Sequence, residues 1–230
     1  RRSSSKLGEL LAAARQTKLA GSELRQVQLI EKSYQRNCKV PAEISVALAG
    51  LTSKSQHIWA QARADEAVKD FTPILAEVVA LRQQEATALA DGTELSLYDA
   101  LLRDYEPDGS TAEISKMFEA LRSPLVALRS AVLERPPAPE LEGQFDPQLQ
   151  LKLSRELAEC FGYNMACGRI DRAVHPFCSG TGADVRITTR TDSSDPLGCF
   201  YSTIHEVGHG NYEQNIDQSY GFTPIGHGCS

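Results

Sequence analysis

The 230-residue sequence lacks several features that would assign it to a class at once. No apolar run reaches the roughly 18 to 20 residues that a transmembrane helix needs, so we expect no membrane partner. No C-x-x-C pair occurs among the six cysteines, which favours reduced, structural thiols over a disulfide framework. The start, RRSSSKLGELLAAARQ, has neither an initiator Met nor the apolar segment of a signal peptide. We therefore expect a cytoplasmic protein whose printed sequence begins inside a longer chain.

The sequence also has fewer basic than acidic residues. The sequence has 24 Lys and Arg against 30 Asp and Glu, for a formal net charge of −6. Binding to nucleic acid depends on neutralising phosphates with basic residues, so this balance argues against a nucleic-acid partner. The 41% of hydrophobic residues and 23% of charged residues are typical of an ordinary globular protein with a substantial core.

Helical patterns fill the first two-thirds of the sequence. Apolar residues recur at spacings of three and four, as in LGELLAAARQ, which predicts a series of amphipathic helices. Ser110 and Glu113 have the spacing of a capping box at a helix start. Thr72 followed by Pro73 predicts another helix start, and we expect Pro124 to interrupt or end the helix that contains it.

The character of the sequence changes in its last third. ERPPAPELEG, residues 134–143, contains three prolines and no periodicity, which is typical of a connection. DVRITTR alternates β-forming and polar residues and predicts a short strand, and Ser193 or Asp195 with Pro196 predicts the start of a further helix. We expect a mainly α-helical protein with a small β element. A helical region at 1–134 and a metal-site region at 135–230 would form one continuous domain.

The segment FYSTIHEVGHGNYEQN contains the spacing H-E-x-x-H. On a helix, His205 and His209 lie about 40° apart around the axis and one turn apart along it, so both imidazoles can reach one Zn²⁺ ion. Glu206 lies about 100° around the axis from His205 and leans over the same site. Zinc lowers the pKa of a bound water toward about 7, and the Glu206 carboxylate can accept its proton and return it to a leaving amine. The motif therefore predicts a metallopeptidase.

A catalytic zinc site needs three protein ligands, and the sequence offers two clear ones. Glu213 lies too far along the helix axis to share the ion with His205. Asp217 is a further downstream candidate. One zincin pattern has a histidine where this sequence has Asn215. His227 is either a ligand or an exposed loop histidine.

Two glycines, Gly208 and Gly210, lie inside the predicted helix of the motif. A helix-interior glycine costs about 1 kcal/mol relative to alanine. Their presence predicts a close neighbour, which is either substrate, a strand or another helix.

Three short motifs occur in a fixed order: HPF at 175–177, DVRIT at 184–188 and HEVGH at 205–209. In this combination the sequence resembles the carboxypeptidase Taq family of thermostable-type metallocarboxypeptidases. Further stretches that look similar include LTSKSQHIWAQARA, LYDALLRDYEPD and GRIDRAVHPF. The resemblance thus runs over nearly the whole sequence.

The resemblance implies a multi-helix, zincin-like fold with a small antiparallel sheet beside the H-E-x-x-H helix. It implies removal of single residues from peptide C-termini, dependence on zinc or cobalt, and a homodimer. By residue, it implies that His205 and His209 bind the metal and that Glu206 is the general base. Three further residues would line the groove for the substrate: His175, Asp184 and Arg186.

Members of that family are longer than this chain. Their third metal ligand is a glutamate in an H-E-S/G-Q motif, which by its spacing would follow Ser230. A later arginine motif, which is thought to hold the substrate carboxylate, would also lie beyond Ser230. We therefore expect the middle portion of such an enzyme, with weak metal binding and little activity by itself.

Alternatives remain at several points. The same helix would also suit a zincin-type endopeptidase or oligopeptidase, and a catalytically silent helical fragment that serves assembly is a third function. Arg186 either binds the terminal carboxylate of a substrate or forms a structural ion pair with Asp184. His175 either stabilises the oxyanion or packs in a turn.

Overall fold

The computed structural model describes residues 2–137, 139 and 141–226. The chain divides into two compact units, residues 1–136 and residues 137–229. Within the described residues, no helix is both long enough and apolar enough to cross a membrane. His227 and one of the six cysteines, Cys229, lie outside the described part of the chain. The other five cysteines carry free thiols.

The first unit is all helical. It contains α1 (Ser5–Arg15), α2 (Gly21–Lys39), α3 (Ala42–Ala64), α4 (Val68–Ala90), α5 (Leu97–Leu102) and α6 (Thr111–Leu133). Helices α3 and α4 make the most extensive contact in this unit. Ser110 caps α6 as predicted, because its side chain accepts a hydrogen bond from the Glu113 backbone N–H. The Glu113 carboxylate accepts from the Ser110 hydroxyl at 2.7 Å, so only the N-cap half of the predicted capping box is formed.

Two prolines lie inside helices. The sequence analysis predicted a helix start at Pro73 and an interruption or end at Pro124, and both expectations are wrong. Helix α4 begins at Val68, so Pro73 lies in its second turn, and the Thr72 hydroxyl donates to the Val68 carbonyl. Helix α6 continues through Pro124 to Leu133. A proline removes only one backbone hydrogen bond from a helix, and the apolar periodicity on both sides continues across it.

The first unit has a small core and one buried ionic group. Val40, Leu89 and Ala100 form a buried cluster. Beside α2 and α4 the Glu85 side chain is 5% exposed and lies 2.9 Å from Arg36 and 2.6 Å from Arg82. Burial raises the pKa of the Glu85 carboxyl, but the two arginines outweigh it, so this pKa lies below its ordinary value.

The second unit combines two helices with a three-stranded sheet. It contains α7 (Pro147–Cys160), β1 (Gly168–Arg172), β2 (Cys178–Thr181), β3 (Asp184–Thr189) and α8 (Pro196–Gln214), with single 3₁₀ turns at Met165–Cys167, Gln218–Tyr220 and Pro224–Gly226. The strand order is β1-β3-β2. Helix α8 packs on the sheet and on α7.

The sheet is mixed, which corrects the expectation of an antiparallel sheet. Strands β2 and β3 are antiparallel, with Cys178 opposite Ile187, because a two-residue turn joins them. Strands β1 and β3 are parallel, with Gly168 opposite Val185. The segment between β1 and β2 crosses to the other edge of β3, so β1 and β3 run in the same direction.

The core of the second unit joins the sheet to α8. Its buried cluster contains Ala158, Tyr163, Ile170, Ile187 and Val207, each at most 2% exposed.

A buried polar network lies in the same unit, between α7, β3 and α8. The Thr203 hydroxyl lies 3.0 Å from that of Thr189 and 3.2 Å from that of Ser154. The Thr189 hydroxyl also donates to the Cys199 carbonyl at 3.1 Å. All four residues of the network are buried. Their hydrogen bonds therefore hold α8 in one rotational orientation about its axis against the sheet.

Candidate active site

Helix α8 begins as the sequence predicts. The Asp195 side chain accepts a hydrogen bond from the Gly198 backbone N–H, and Pro196 lies in the first turn. The helix then buries the face that contains Cys199, Thr203 and Val207. His205 and His209 lie on the opposite, exposed face, and the spacing of 3.6 residues per turn places Glu206 at the border between the two faces.

The two histidines of the motif face one another. Their Nε2 atoms are 3.3 Å apart, and the ring centroids are 5.0 Å apart with an interplanar angle of 74°. Two nitrogens bound at about 2.0–2.1 Å to one tetrahedral zinc ion lie about 3.3–3.4 Å from each other. The distance between the two Nε2 atoms is therefore the one expected for two ligands of a single tetrahedral ion.

Glu206 is buried but unpaired. Its side chain is 7% exposed, and within the described part of the chain its carboxylate forms no hydrogen bond or salt bridge. The Cys178 thiol on β2 lies close enough to Glu206 for the carboxylate charge to affect the thiol pKa. Burial, with smaller contributions from Glu206 and Glu213, raises the pKa of Cys178 to about 11. The thiol is therefore protonated at neutral pH and belongs to the core.

A cavity of about 380 Å³ opens beside these residues. It is lined by His175, Pro176, Arg190, Tyr201, Ser202, His205 and Glu206. Tyr201 and Ser202 were not singled out from the sequence. The signal was available, because they precede His205 by four and three residues and so share its helix face.

Thr188 explains how His175 reaches this cavity. The Thr188 side-chain oxygen accepts from the Phe177 backbone N–H at 2.9 Å, and the Thr188 backbone N–H donates to the Phe177 carbonyl at 2.8 Å. The threonine of the D-V-R-I-T segment thus ties the H-P-F segment to β3. This contact between two motifs needed the structure, because the sequence shows only their order.

Asp184 and Arg186 lie elsewhere on β3. The Arg186 guanidinium donates to both carboxylate oxygens of Asp184, at 2.9 Å from Nε and 2.7 Å from a terminal nitrogen. Its hydrogen bond is the main reason that the pKa of Asp184 lies below its ordinary value. Both side chains are exposed, and neither is among the residues that line the cavity. Their role in a longer groove stays a prediction.

No third ligand joins the histidine pair within residues 2–137, 139 and 141–226. In these ranges no group of three or more His, Cys, Asp or Glu side chains is placed to hold a metal ion. Glu213 lies two turns along α8 from His205, Asn215 caps the helix, and Asp217 accepts from the Ser219 backbone N–H.

Comparisons with known proteins agree with the motifs. Thermostable carboxypeptidase 1 of Thermus thermophilus is 32% identical over 210 residues, which are 86% of this chain and 41% of that protein. Carboxypeptidase 1 of Bacillus subtilis is 32% identical over 208 residues, which are 89% of this chain and 41% of that protein. The chain therefore spans about two-fifths of the length of these relatives.

Solved structures share the fold. The crystal structure of BsuCP superposes with a TM-score of 0.92 at 30% identity, covering 99% of this chain and 46% of that chain. The M32 carboxypeptidase from Deinococcus radiodurans R1 gives a TM-score of 0.84 at 30% identity, with 99% and 46% covered. The family model described as carboxypeptidase Taq (M32) metallopeptidase matches residues 1–230, and the chain belongs to that family.

Proposed function

We propose that the protein is a metallocarboxypeptidase that removes residues from the C-termini of peptides. The observation that carries this proposal is the joint position of His205, His209 and Glu206 on α8 beside a cavity of about 380 Å³. Membership of a metallopeptidase family supports a metal cofactor, and the relatives of this chain are carboxypeptidases.

We infer that the metal is zinc, with cobalt as a substitute. His205 and His209 would hold it through Nε2, and the third protein ligand would come from outside the described residues. When bound, the ion activates a water molecule and polarises the substrate carbonyl. Two imidazoles alone form an incomplete site, so the 230-residue chain by itself should bind zinc weakly and hydrolyse little.

Glu206 would act as the general base and then as the general acid. Its carboxylate is buried and forms no salt bridge with any described residue, so it can accept a proton at one carboxylate oxygen and pass it to the leaving amine. His175, which also lines the cavity, would direct a ring N–H at the carbonyl oxygen of the substrate. The substrates would be peptides, and the active form a cytoplasmic homodimer.

The test uses the complete gene product, treated with a chelator and reloaded with zinc or cobalt. Two peptides that differ only in a free C-terminal carboxylate or a C-terminal amide are supplied, and products are identified by mass spectrometry. We expect stepwise loss of C-terminal residues from the free acid, no cleavage of the amide, and dependence on the added metal. Internal cleavage of both peptides would indicate an endopeptidase. Absence of cleavage and of metal binding would indicate a silent assembly fragment.

A further inference from the structure

The end of β3 is hydrogen-bonded to the two segments that contribute most of the cavity lining, the H-P-F segment and α8. Thr188 ties the H-P-F segment to the strand, because its side-chain oxygen accepts from the Phe177 backbone N–H at 2.9 Å. The next residue, Thr189, ties α8 to the strand, because its hydroxyl lies 3.0 Å from the Thr203 hydroxyl. Two consecutive threonines of one strand therefore hold both segments.

The bond between Thr203 and Thr189 lies inside the protein. Both residues are 0% exposed, so water cannot take the place of either hydroxyl. The Thr189 hydroxyl donates to the Cys199 carbonyl on α8 at 3.1 Å. Because a hydroxyl has one proton, the Thr203 hydroxyl is then the donor to Thr189. The Thr189 side chain thus contacts α8 at two successive turns, through Cys199 and through Thr203.

The packing of α8 gives these hydrogen bonds particular weight. The buried residues of α8 are Pro196, Cys199, Thr203, Glu206, Val207 and Gly210. None of them has a large apolar side chain, and apolar contacts have no preferred direction, so packing alone resists rotation of the helix about its axis only weakly. A hydrogen bond depends on the angle between its groups and is weakened as soon as the helix turns.

A small rotation of α8 would change the site. His205, Glu206 and His209 share one helix, so their geometry relative to one another does not depend on its orientation. Their position relative to His175, which lies in the H-P-F segment, does depend on it. A helix with its side chains has a radius of about 5–6 Å, so a rotation of about 10° moves the end of a side chain by about 1 Å. A displacement of that size can lower turnover by about 100-fold.

We propose that the hydrogen bond between Thr203 and Thr189 sets the orientation of α8 for catalysis. It fixes the residues of the H-E-x-x-H motif relative to the H-P-F segment and to the third metal ligand. Both threonines are positioning residues, because they are buried and act through the motif. The inference rests on the proposed carboxypeptidase function and adds to it a pair of residues that would control its rate.

The first experiment separates the hydroxyl of Thr203 from its methyl group in the complete, metal-loaded gene product. Thr203→Val keeps the shape of the side chain and removes the hydroxyl, whereas Thr203→Ser keeps the hydroxyl and removes the methyl group. With a free-acid peptide, Thr203→Val should lower kcat about 10- to 100-fold and change KM less, and Thr203→Ser should keep kcat within about threefold. Rates are taken per bound metal ion, and Tm is measured for each variant. If kcat followed Tm and not the hydroxyl, the role would be structural and the proposal would be wrong.

A double-mutant cycle tests whether the two hydroxyls act as a pair. Thr189→Val should lower kcat about as much as Thr203→Val, and the double variant should be no worse than either single variant. The matched control is Thr87→Val, which removes a helix hydroxyl that donates to the Gln83 carbonyl at 2.8 Å and to no second element within the described residues. It should leave kcat within about twofold. Losses that multiply in the double variant would overturn the proposal.

A further measurement does not depend on turnover. Helix α8 would supply two metal ligands and another part of the protein the third, so rotation of α8 would change the coordination geometry. The visible absorption spectrum of the cobalt-loaded gene product should shift in Thr203→Val and Thr189→Val and stay unchanged in Thr203→Ser. An unchanged spectrum in either valine variant would contradict the positioning role. Failure of the unaltered enzyme to release C-terminal residues would instead overturn the proposed function, and the cobalt spectra would still decide the role of the threonines.

Discussion

Among the residues that the structure describes, each of the two units buries one glutamate, and the surroundings of the two carboxylates differ. Glu85 in the first unit is 5% exposed and lies between the guanidinium groups of Arg36 and Arg82. Glu206 in the second unit is 7% exposed and has no cationic partner among the described residues. Burial alone therefore does not mark a functional carboxylate, and the proposed role of Glu206 is supported by its lack of a cationic partner beside a cavity.

The two units also differ in how completely their side chains are buried. No residue of α6 in the first unit is buried, and Leu125 and Leu128 on it are 56% and 60% exposed. In the second unit Ile187 and Thr203 are 0% exposed. A site needs supports that hold its side chains in one geometry, and the tightly packed unit is the one that contains the histidine pair.

The largest expected effect separates the two glutamates by activity. Glu206→Gln in the complete, metal-loaded protein should lower kcat by about 10²- to 10⁴-fold, because the amide cannot accept a proton. Metal content, measured by atomic absorption, should not change. Glu85→Gln is the matched control, since it makes the same substitution at an equally buried glutamate, and it should leave kcat within about twofold.

The outcomes of this pair are distinct. An active Glu206→Gln variant would remove the general base from the proposed mechanism. Equal losses of kcat in both variants would show that the two buried glutamates cannot be separated by function.

The second prediction concerns packing. Ile187→Ala should lower the free energy of unfolding of the 230-residue chain by about 2–5 kcal/mol, because it leaves a cavity in a fully buried cluster. Leu128→Ala on α6 should change it by less than about 0.5 kcal/mol, because that side chain is exposed. Urea denaturation followed by circular dichroism measures both. A large loss for Leu128→Ala would show that α6 is covered in solution.

The helices and the histidine pair could be predicted from the sequence, because they depend on residues close together in the chain. The helix caps at Ser110 and Asp195 and the periodicity of the long helices all follow from contacts within a few residues. The H-E-x-x-H spacing likewise brings His205 and His209 together through helix geometry alone.

Other features depend on contacts between distant segments. The mixed strand order, the tie between Thr188 and Phe177, and the cavity position of Arg190 involve segments whose pairing no local pattern encodes. The expectations about Pro73 and Pro124 were wrong for the opposite reason. There the local signal for a helix boundary was weaker than the apolar periodicity on both sides of the proline.

The third prediction uses Gly208 and Gly210, two of the three glycines of α8, for which the sequence analysis made the same prediction. A Cβ at Gly210 would lie 2.8 Å from the Tyr163 ring, whereas a Cβ at Gly208 would meet nothing within 4 Å. Gly210→Ala should therefore destabilise the chain by about 1–3 kcal/mol through overpacking. Gly208→Ala should stabilise it by up to about 1 kcal/mol through helix propensity.

Urea denaturation of the two alanine variants at neutral pH measures both changes, with the unaltered chain alongside. The same sign for the two variants would contradict the asymmetric packing of the two faces of α8.

The smallest expected effect is the pH dependence of the stability that Glu85 contributes through its two arginine partners. The pKa of Glu85 is lowered in the folded chain, so its contribution to stability is fully present above the pKa of an unfolded glutamate, about 4.3, and is lost as the pH falls through the lower, folded value. The stability difference between the unaltered chain and Glu85→Gln should therefore be constant from pH 7 to about 5 and shrink below about pH 4. Glu119→Gln is the control, because its salt bridge with Arg122 is exposed and should give no such change. If the difference grew on acidification instead, the ionised form of Glu85 would not be the one that Arg36 and Arg82 stabilise, and the contrast with the unpaired Glu206 would lose its physical basis.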